Sequence, residues 1–296
     1  MKKIYLLLTF CFAVSVSYAQ VPVAGNLEET VTEEPVGNRP MTLNVSYFTG
    51  VASIANHYLS ANEYSNISSG FHADLGRFYK RWENVSWNLS YDYCSSLDRA
   101  GGLENSAETS SMSYTAMSLN YSSFYNWMFG KGLLVKVGGG LDISGDLISN
   151  LTHAMNNAVS LNILAQLEAS AGISYIFKFK KWMLGLYGNL STPFAGLILA
   201  DAKHEPAAAL FSSDLLMKNY FSHLKGTSFS NLQGVDVDFG IKFITPRVAI
   251  NLGLVSENRW WYVNDIQNRR MHMMFQLGAS FNLVSLKQTK TIHRYF

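Results

Sequence analysis

The chain has 296 residues, a formal charge of +2 and two cysteines, with 48% hydrophobic, 14% aromatic and only 15% charged residues. So balanced a charge excludes the basic footprint that a nucleic-acid binder needs, and so few cysteines exclude a small disulfide-stapled secreted domain. Many aromatics beside few charges fit a protein whose outer surface meets lipid.

The chain opens on a secretory signal. Lys2 and Lys3 form a basic start, Ile4 to Val16 is almost continuously apolar, and Ser17-Tyr18-Ala19 places small residues at −3 and −1 before Gln20. The run is shorter than the ~20 residues a spanning helix needs. Cys11 follows the bulky Phe10 inside the apolar run, which disfavours a lipoprotein site. Export with cleavage after Ala19 is expected. That step leaves one cysteine, Cys94, and equal numbers of acidic and basic residues. Residues 20–38 lack periodicity and carry Glu28, Glu29, Glu33 and Glu34, as a flexible acidic periplasmic lead-in would.

From residue 39 to 285 the dominant signal is alternation with period two, the mark of β-strands. In 133–147, Leu133, Val135, Val137, Leu141, Ile143 and Leu147 oppose Lys136, Asp142, Ser144 and Asp146; 85–93, 159–177 and 235–243 repeat the pattern. Strands are expected near 40–50, 67–79, 83–95, 111–128, 132–147, 158–178, 181–192, 231–244, 247–258 and 269–284. Four tight joints, at 80–82, 130–132, 179–181 and 245–247, alternate with longer links at 51–66, 96–110, 148–157, 193–230 and 259–268. Many of these strands exceed the five or six residues usual in globular sheets. Their polar face is rich in Ser, Asn and Gly rather than Lys and Glu, which disfavours a soluble sandwich. The expectation is an all-β, antiparallel transmembrane β-barrel of about ten strands, with short periplasmic turns and long extracellular loops. Twelve strands follow if 193–230 contains a hairpin, although Pro206-Ala-Ala-Ala-Leu and Ser213-Asp-Leu-Leu-Met-Lys read as helical. Of seven Asn-x-Ser/Thr sequons, five lie within these strands, where Asn and Ser two apart share the inner face.

Apolar faces turned to lipid leave an inward set: Asp74, Asp92, Lys136, Asp142, Asp146, Glu168, Asp236, Asp238, Lys242, Arg247, Glu257, Arg259, Arg270 and His272. A ten-stranded barrel is narrow, so opposite charges should pair into a water-containing, salt-bridged lumen with a structural, adhesive or narrow-solute role. Enzymatic barrels are the alternative class. Asp236 and Asp238 share a face, and with His272 they offer a protease-like acid pair; no D-x-H partner accompanies them. Asn56-His57-Tyr58-Leu59-Ser60 is the nearest approach to a barrel phospholipase site, but its His–Ser spacing of three does not share a strand face. No metal-ligand spacing occurs and no cofactor is expected. Gly138-Gly139-Gly140 lies mid-strand, where it suits sheet curvature or a neighbouring ring better than a phosphate. The long apolar link 193–230 is the expected contact for a small solute or extracellular partner. The remaining expected partners are outer-membrane lipid and lipopolysaccharide, and the barrel assembly machinery.

The last strand presents Met271, Met273, Phe275, Leu277, Ala279, Phe281 and Leu283 on its apolar face. Within it, Gln276-x-Gly278-x-x-Phe281-x-Leu283 has the polar-x-Gly-x-x-aromatic-x-hydrophobic form of an assembly signal, followed by a basic periplasmic tail at 286–296. The leader's end, "SVSYAQ", and "RWWYVNDIQNRRMHMMFQLGASFNL" resemble an uncharacterised outer-membrane barrel family of Bacteroides-type bacteria, a domain of unknown function. That resemblance implies the barrel fold and the outer membrane and brings no activity or site residues.

Overall fold

The computed structural model describes residues 41–59, 63–79, 82–99, 112–129, 132–150, 159–179, 182–200, 223–245 and 248–283, with backbone alone for 78–79, 82–99, 150, 179, 182 and 282. Eleven strands follow in chain order: β1 (Met41–Asn56), β2 (Glu63–Tyr79), β3 (Trp82–Arg99), β4 (Met112–Phe129), β5 (Leu133–Asn150), β6 (Val159–Phe179), β7 (Trp182–Leu199), β8 (Leu224–Ser228), β9 (Leu232–Ile244), β10 (Val248–Val263) and β11 (Ile266–Asn282). All pairings are antiparallel. Each strand from β1 to β7 pairs with the next, β7 pairs with β9, β9 with β10 and β10 with β11. The ring closes where β11 pairs with β1, from Thr42↔Asn282 to Asn56↔Asn268. No edge is left open along this ring, which removes the unpaired N–H and C=O groups an open sheet would expose. The wall has ten positions, because the short β8 pairs with the upper part of β7 (Ala195↔Ser228 to Leu199↔Leu224) while β9 takes its lower part, ending at Ser191↔Asp236. Among the described residues, segment 193–230 supplies the upper end of β7 and the short β8, which pair with each other; its expected helical stretches fall outside the described residues.

Short connections gather at one end of the barrel: 80–81, 130–132, 180–181 and 245–247. The start of β1 and the end of β11 lie at this same end. The other end carries the links at 57–62, 100–111, 151–158 and 200–223 and one tight turn, Asn264-Asp265. Those two residues have φ of 55° and 63°, the left-handed pair that a two-residue type I′ hairpin requires and that Asn and Asp tolerate.

Two alternations run along the strands, one above the other. Toward the short turns, apolar side chains face out and polar ones in. Phe275 is 69% exposed, Met273 63% and Ile67 70%, and Val45, Phe71, Leu141, Leu167, Leu190, Phe239 and Leu252 continue the belt. Toward the long links the inner face turns apolar, while the outer face becomes mixed, with Leu147, Ile163, Leu197 and Tyr262 still exposed. Ile54, Tyr64, Met112, Tyr114 and Ile148 point inward and pack as one buried cluster; Leu164, Ile198, Leu232, Trp261 and Val263 form a second. On the outer face at this level stand Gln233, Asn258 and Gln267, all exposed.

This change accounts for the differences from the sequence-based strand limits. β1 continues to Asn56 rather than 50, β2 begins at Glu63 rather than 67, β7 runs to Leu199 rather than 192, and 259–268 is two strand ends joined by a two-residue turn. At these ends the lumen-facing positions turn apolar, at Ile54, Tyr64, Ile198, Trp261 and Val263, while the outer face is mixed, with Gln267 beside Leu197 and Tyr262.

Candidate functional site: the barrel lumen

The inward face of a strand is one parity of its sequence, switching in β7 where the pairing with β6 shifts at Leu167/Glu168, so side chains far apart in the chain meet across the bore. Below the apolar clusters lies a layer of ion pairs. Arg259 of β10, only 3% exposed, reaches Glu168 on β6 at 2.6 Å and grips Asp236 on β9 with both terminal nitrogens. Such fork-like contacts are geometrically specific to a guanidinium. Ser191 adds a hydroxyl to Asp236 at 3.3 Å. Arg270 of β11 pairs with Glu257 on β10, lies 3.7 Å from Asp146 and donates to the Tyr114 hydroxyl at 3.4 Å. His272 sits 3.9 Å from Glu257 and edge-on to the Tyr114 ring. Neutral amides complete the layer: Gln166 donates to both Asp142 and Glu168, at 3.0 and 2.9 Å, and Asn162 donates to Asp146 at 2.7 Å. Between Arg270 and the apolar cluster above it lies a gap of about 10 Å³, room for at most one water.

On the short-turn side of these pairs the lumen opens into a cavity of about 420 Å³. Its walls carry Asp74, hydrogen-bonded by Asn44 at 2.6 Å and His72 at 3.1 Å, and Asp238, bonded by Asn189 at 3.2 Å. Lys136 holds its ammonium 4.6 Å from the centre of the Phe124 ring, and Lys242 lies 5.0 Å over Tyr187. Tyr187 itself leans across two strands. A Cβ on Gly240 or Gly253 would come within 2.8 or 2.5 Å of its hydroxyl, so glycine at those two positions leaves the room that the ring fills. The same hydroxyl reaches Gln276 of β11 at 3.5 Å, and Gln276 donates to Ser46 at 2.8 Å.

Of the residues expected to form the lumen charge network, Asp142, Asp146, Glu168, Asp236, Glu257, Arg259 and His272 meet in the ion-pair layer, and Lys136, Lys242 and Asp238 line the cavity below. Arg247 and the side chain of Asp92 lie outside the described residues, as does the side chain of Cys94. Asp236, Asp238 and His272 face the same cavity but are held by different partners, Arg259, Asn189 and Glu257, rather than by one another. Asn56 points inward, donating to Ser160 at 2.8 Å and accepting from the backbone of Tyr58 and Leu59; His57 is in the turn that follows, and Ser60 lies outside the described residues. Gln276 and Gly278 face the lumen, and a Cβ on Gly278 would meet Asn251 and Ser46 at 2.7 Å. Phe281 and Leu283 are exposed on the outside. The apolar clusters were not anticipated. Their signal is the apolar inner face at the strand ends, readable as Ile54, Tyr64, Tyr114, Ile148 and Trp261 on the lumen parity.

Residues 5–290 match the model of a family described as a protein of unknown function, DUF3316. No curated protein matches the chain. Among solved structures, Neisserial surface protein A is similar at 9% identity and a TM-score of 0.35, covering 82% of this chain and 97% of its own. An outer membrane channel from Pseudomonas putida F1 gives 9% and 0.35, with 84% and 99% covered. The transport unit of the autotransporter AIDA-I from Escherichia coli gives 11% and 0.35, with 91% and 97% covered.

Proposed function

The chain belongs to the DUF3316 family, and from that premise we propose that it is an integral outer-membrane β-barrel whose bore is blocked toward the long-link end, with a structural, adhesive or narrow-solute role. The observation that carries this reading is the combination of a closed ladder and a continuous exposed apolar belt. Strand β11 has 17 residues, which at about 3.4 Å per residue and a tilt of about 40° rises roughly 45 Å. A belt about 25 Å tall meets hydrocarbon in such barrels. The remaining height is where the inner face turns apolar, as expected for a stub standing in water with its own apolar core. In this arrangement the short turns and both strand termini face the periplasm, consistent with export by the leader that ends at Ala19.

The ion-pair layer and the apolar clusters above it lie in series along the bore. A solute crossing the barrel would have to displace both, so the resting state is closed rather than porin-like. Lipid and lipopolysaccharide are the proposed surroundings of the belt. Gln276, Gly278, Phe281 and Leu283 are proposed as the strand signal read by the assembly machinery: Gly278 sits where any side chain would strike Asn251 and Ser46, and Phe281 and Leu283 present the outer apolar edge. Changing Gly278 and Phe281 together should impair assembly, whereas deleting 286–296 should leave it intact.

The test is electrophoretic and electrical. Unboiled protein refolded in detergent should migrate differently from boiled protein, and in planar bilayers it should give no stable open current. Identical migration would count against the barrel, and a steady large conductance would overturn the blocked bore.

A further inference from the structure

We infer that the outer face of β5, β6 and β7 is the surface on which a second copy of this chain packs, side by side in the same membrane; the inference rests on the barrel reading above. Outward positions on β6 are apolar without interruption from Val159 to Phe177. That run rises roughly 47 Å at about 3.4 Å per residue and a tilt of about 40°, whereas only about 25 Å of such a barrel meets hydrocarbon. The outer face of β10 is different: its apolar run ends at Leu254 and gives way to Ser256 and Asn258.

Depth follows from the rest of the ring. Within five residues of their long-link ends, β9, β10 and β11 carry Gln233, Asn258, Gln267 and Arg269 on the outside. Three amides and a guanidinium place this level in water or among headgroups. Over the same stretch of β5, β6 and β7 stand Leu147, Ile163 and Leu197, 42%, 37% and 50% exposed. A lone barrel would hold this aliphatic patch above the hydrocarbon, and exposed apolar patches mark interaction surfaces. Tilting the barrel does not cover the whole face. Sinking Ile163 into the bilayer pushes Ile173 and Tyr175, 54% and 48% exposed at the other end of the same strand, out of it.

Two arguments select a second copy as the occupant. Copies in one bilayer sit at the same depth, so a two-fold axis along the membrane normal sets Leu147, Ile163 and Leu197 of one barrel against the same residues of the other. Isologous contacts of this kind are the commonest in homo-oligomers. Among the described residues no charged side chain interrupts the outer faces of β5, β6 and β7, so no like charges would meet across the axis. The second argument is area. Three strands of 18 residues or more, spaced about 4.8 Å apart, present roughly 850 Å², and a standard interface takes about 800 Å² from each partner.

The experiment uses the full-length protein in phospholipid vesicles. Photobleaching of fluorophore-tagged barrels should count two copies per particle. A short bis-maleimide should join Ile163→Cys to a second copy, whereas Gln267→Cys, on β11 away from this face, and the parent chain, which keeps Cys94, should stay single. Ile163→Lys and Leu197→Asn should each shift the population to single copies. Boiled and unboiled migration identifies the variants that fold, and a variant that does not fold is replaced by the other. Migration unchanged by boiling in the parent chain counts against the barrel itself, while a folded parent barrel found only as single copies overturns the interface alone. Cross-linking at Gln267→Cys as strong as at Ile163→Cys, or paired copies that survive both substitutions, also overturns it. Single copies in which Ile163→Cys is shielded from a water-soluble maleimide would assign the patch to lipid or to the chain's own link at 201–222 instead.

Discussion

Arg259 is one of the two guanidiniums on which the ion-pair layer converges, Arg270 being the other. Arg259 is the shared partner of Glu168 and Asp236, and those two carboxylates come from strands 91 and 23 residues away. Removing one member of a buried ion pair leaves the other charge uncompensated, at a cost of about 3–5 kcal/mol. Arg259→Ala should therefore lower unfolding free energy by about that amount in denaturant titrations of the folded barrel. Arg259→Lys should recover only part of it, since a single ammonium cannot reproduce the two-pronged contact. Replacing Arg259, Glu168 and Asp236 together by leucine should restore most of the loss, because an apolar trio removes both the attraction and the desolvation penalty; a triple variant as unstable as Arg259→Ala would contradict this account. Gly253 acts through space rather than charge. Its absent Cβ lets the Tyr187 hydroxyl lie over β10, and Gly253→Val should displace that ring and lower stability by about 1–3 kcal/mol, the usual cost of overpacking.

At the scale of elements, the β10–β11 hairpin shows how local chemistry sets register. Asn264 and Asp265 both occupy the left-handed region, and the turn fixes the ladder from Val263↔Ile266 down to Val248↔Phe281. That ladder is what aligns Arg259 with Arg270 and Glu257 with His272. A one-residue slip of β11 against β10 would turn Arg270 and His272 outward while Arg259 and Glu257, held by β9, stayed facing in. Substituting alanine at both turn positions should cost about 1–2 kcal/mol per residue, whereas glycine at both should leave stability close to that of the native turn. Equal effects of the two substitutions would show that the turn conformation is not what holds the register. The junction of β7 with β8 and β9 works differently. Pro193, which has no N–H to offer a neighbour, falls between the two pairings of β7, and the Thr192 hydroxyl donates to the Gly234 carbonyl at 2.9 Å across the break.

For the molecule as a whole, the outer surface divides by depth. Positions in the belt should reject charge and positions above it should accept it. Phe275→Arg is expected to destabilise the barrel by about 2–4 kcal/mol in lipid vesicles, and Gln267→Arg, eight residues along the same face, by about 0–1 kcal/mol. Similar costs at both sites would mean that the level where the inner face turns apolar does not mark the bilayer boundary.

Period-two alternation is a local property of the chain, so the barrel class, the lower strands, the four tight turns and the outer face of β11 were readable residue by residue. The identity of most lumen charges followed as well, because a charge on the parity opposite Leu141 or Phe239 has nowhere else to go. Partner choice was not readable. Gln166 meets Asp142 but Asn162 meets Asp146, and Arg270 meets Glu257 together with Tyr114, 156 residues away; such pairs depend on ring closure and on the stagger between neighbouring strands. Nor was the apolar blockage legible. Ile54, Tyr64, Tyr114, Ile148, Leu164 and Trp261 each look like strand-breaking exceptions when taken alone, because the polar-inside pattern of the lower strands does not extend to the upper ends. The sequence by itself determined which neighbouring side chains share a face; only the tertiary structure decided at which level of the barrel the inward side chains pack as apolar clusters, because ring closure and strand stagger set which strand ends lie side by side.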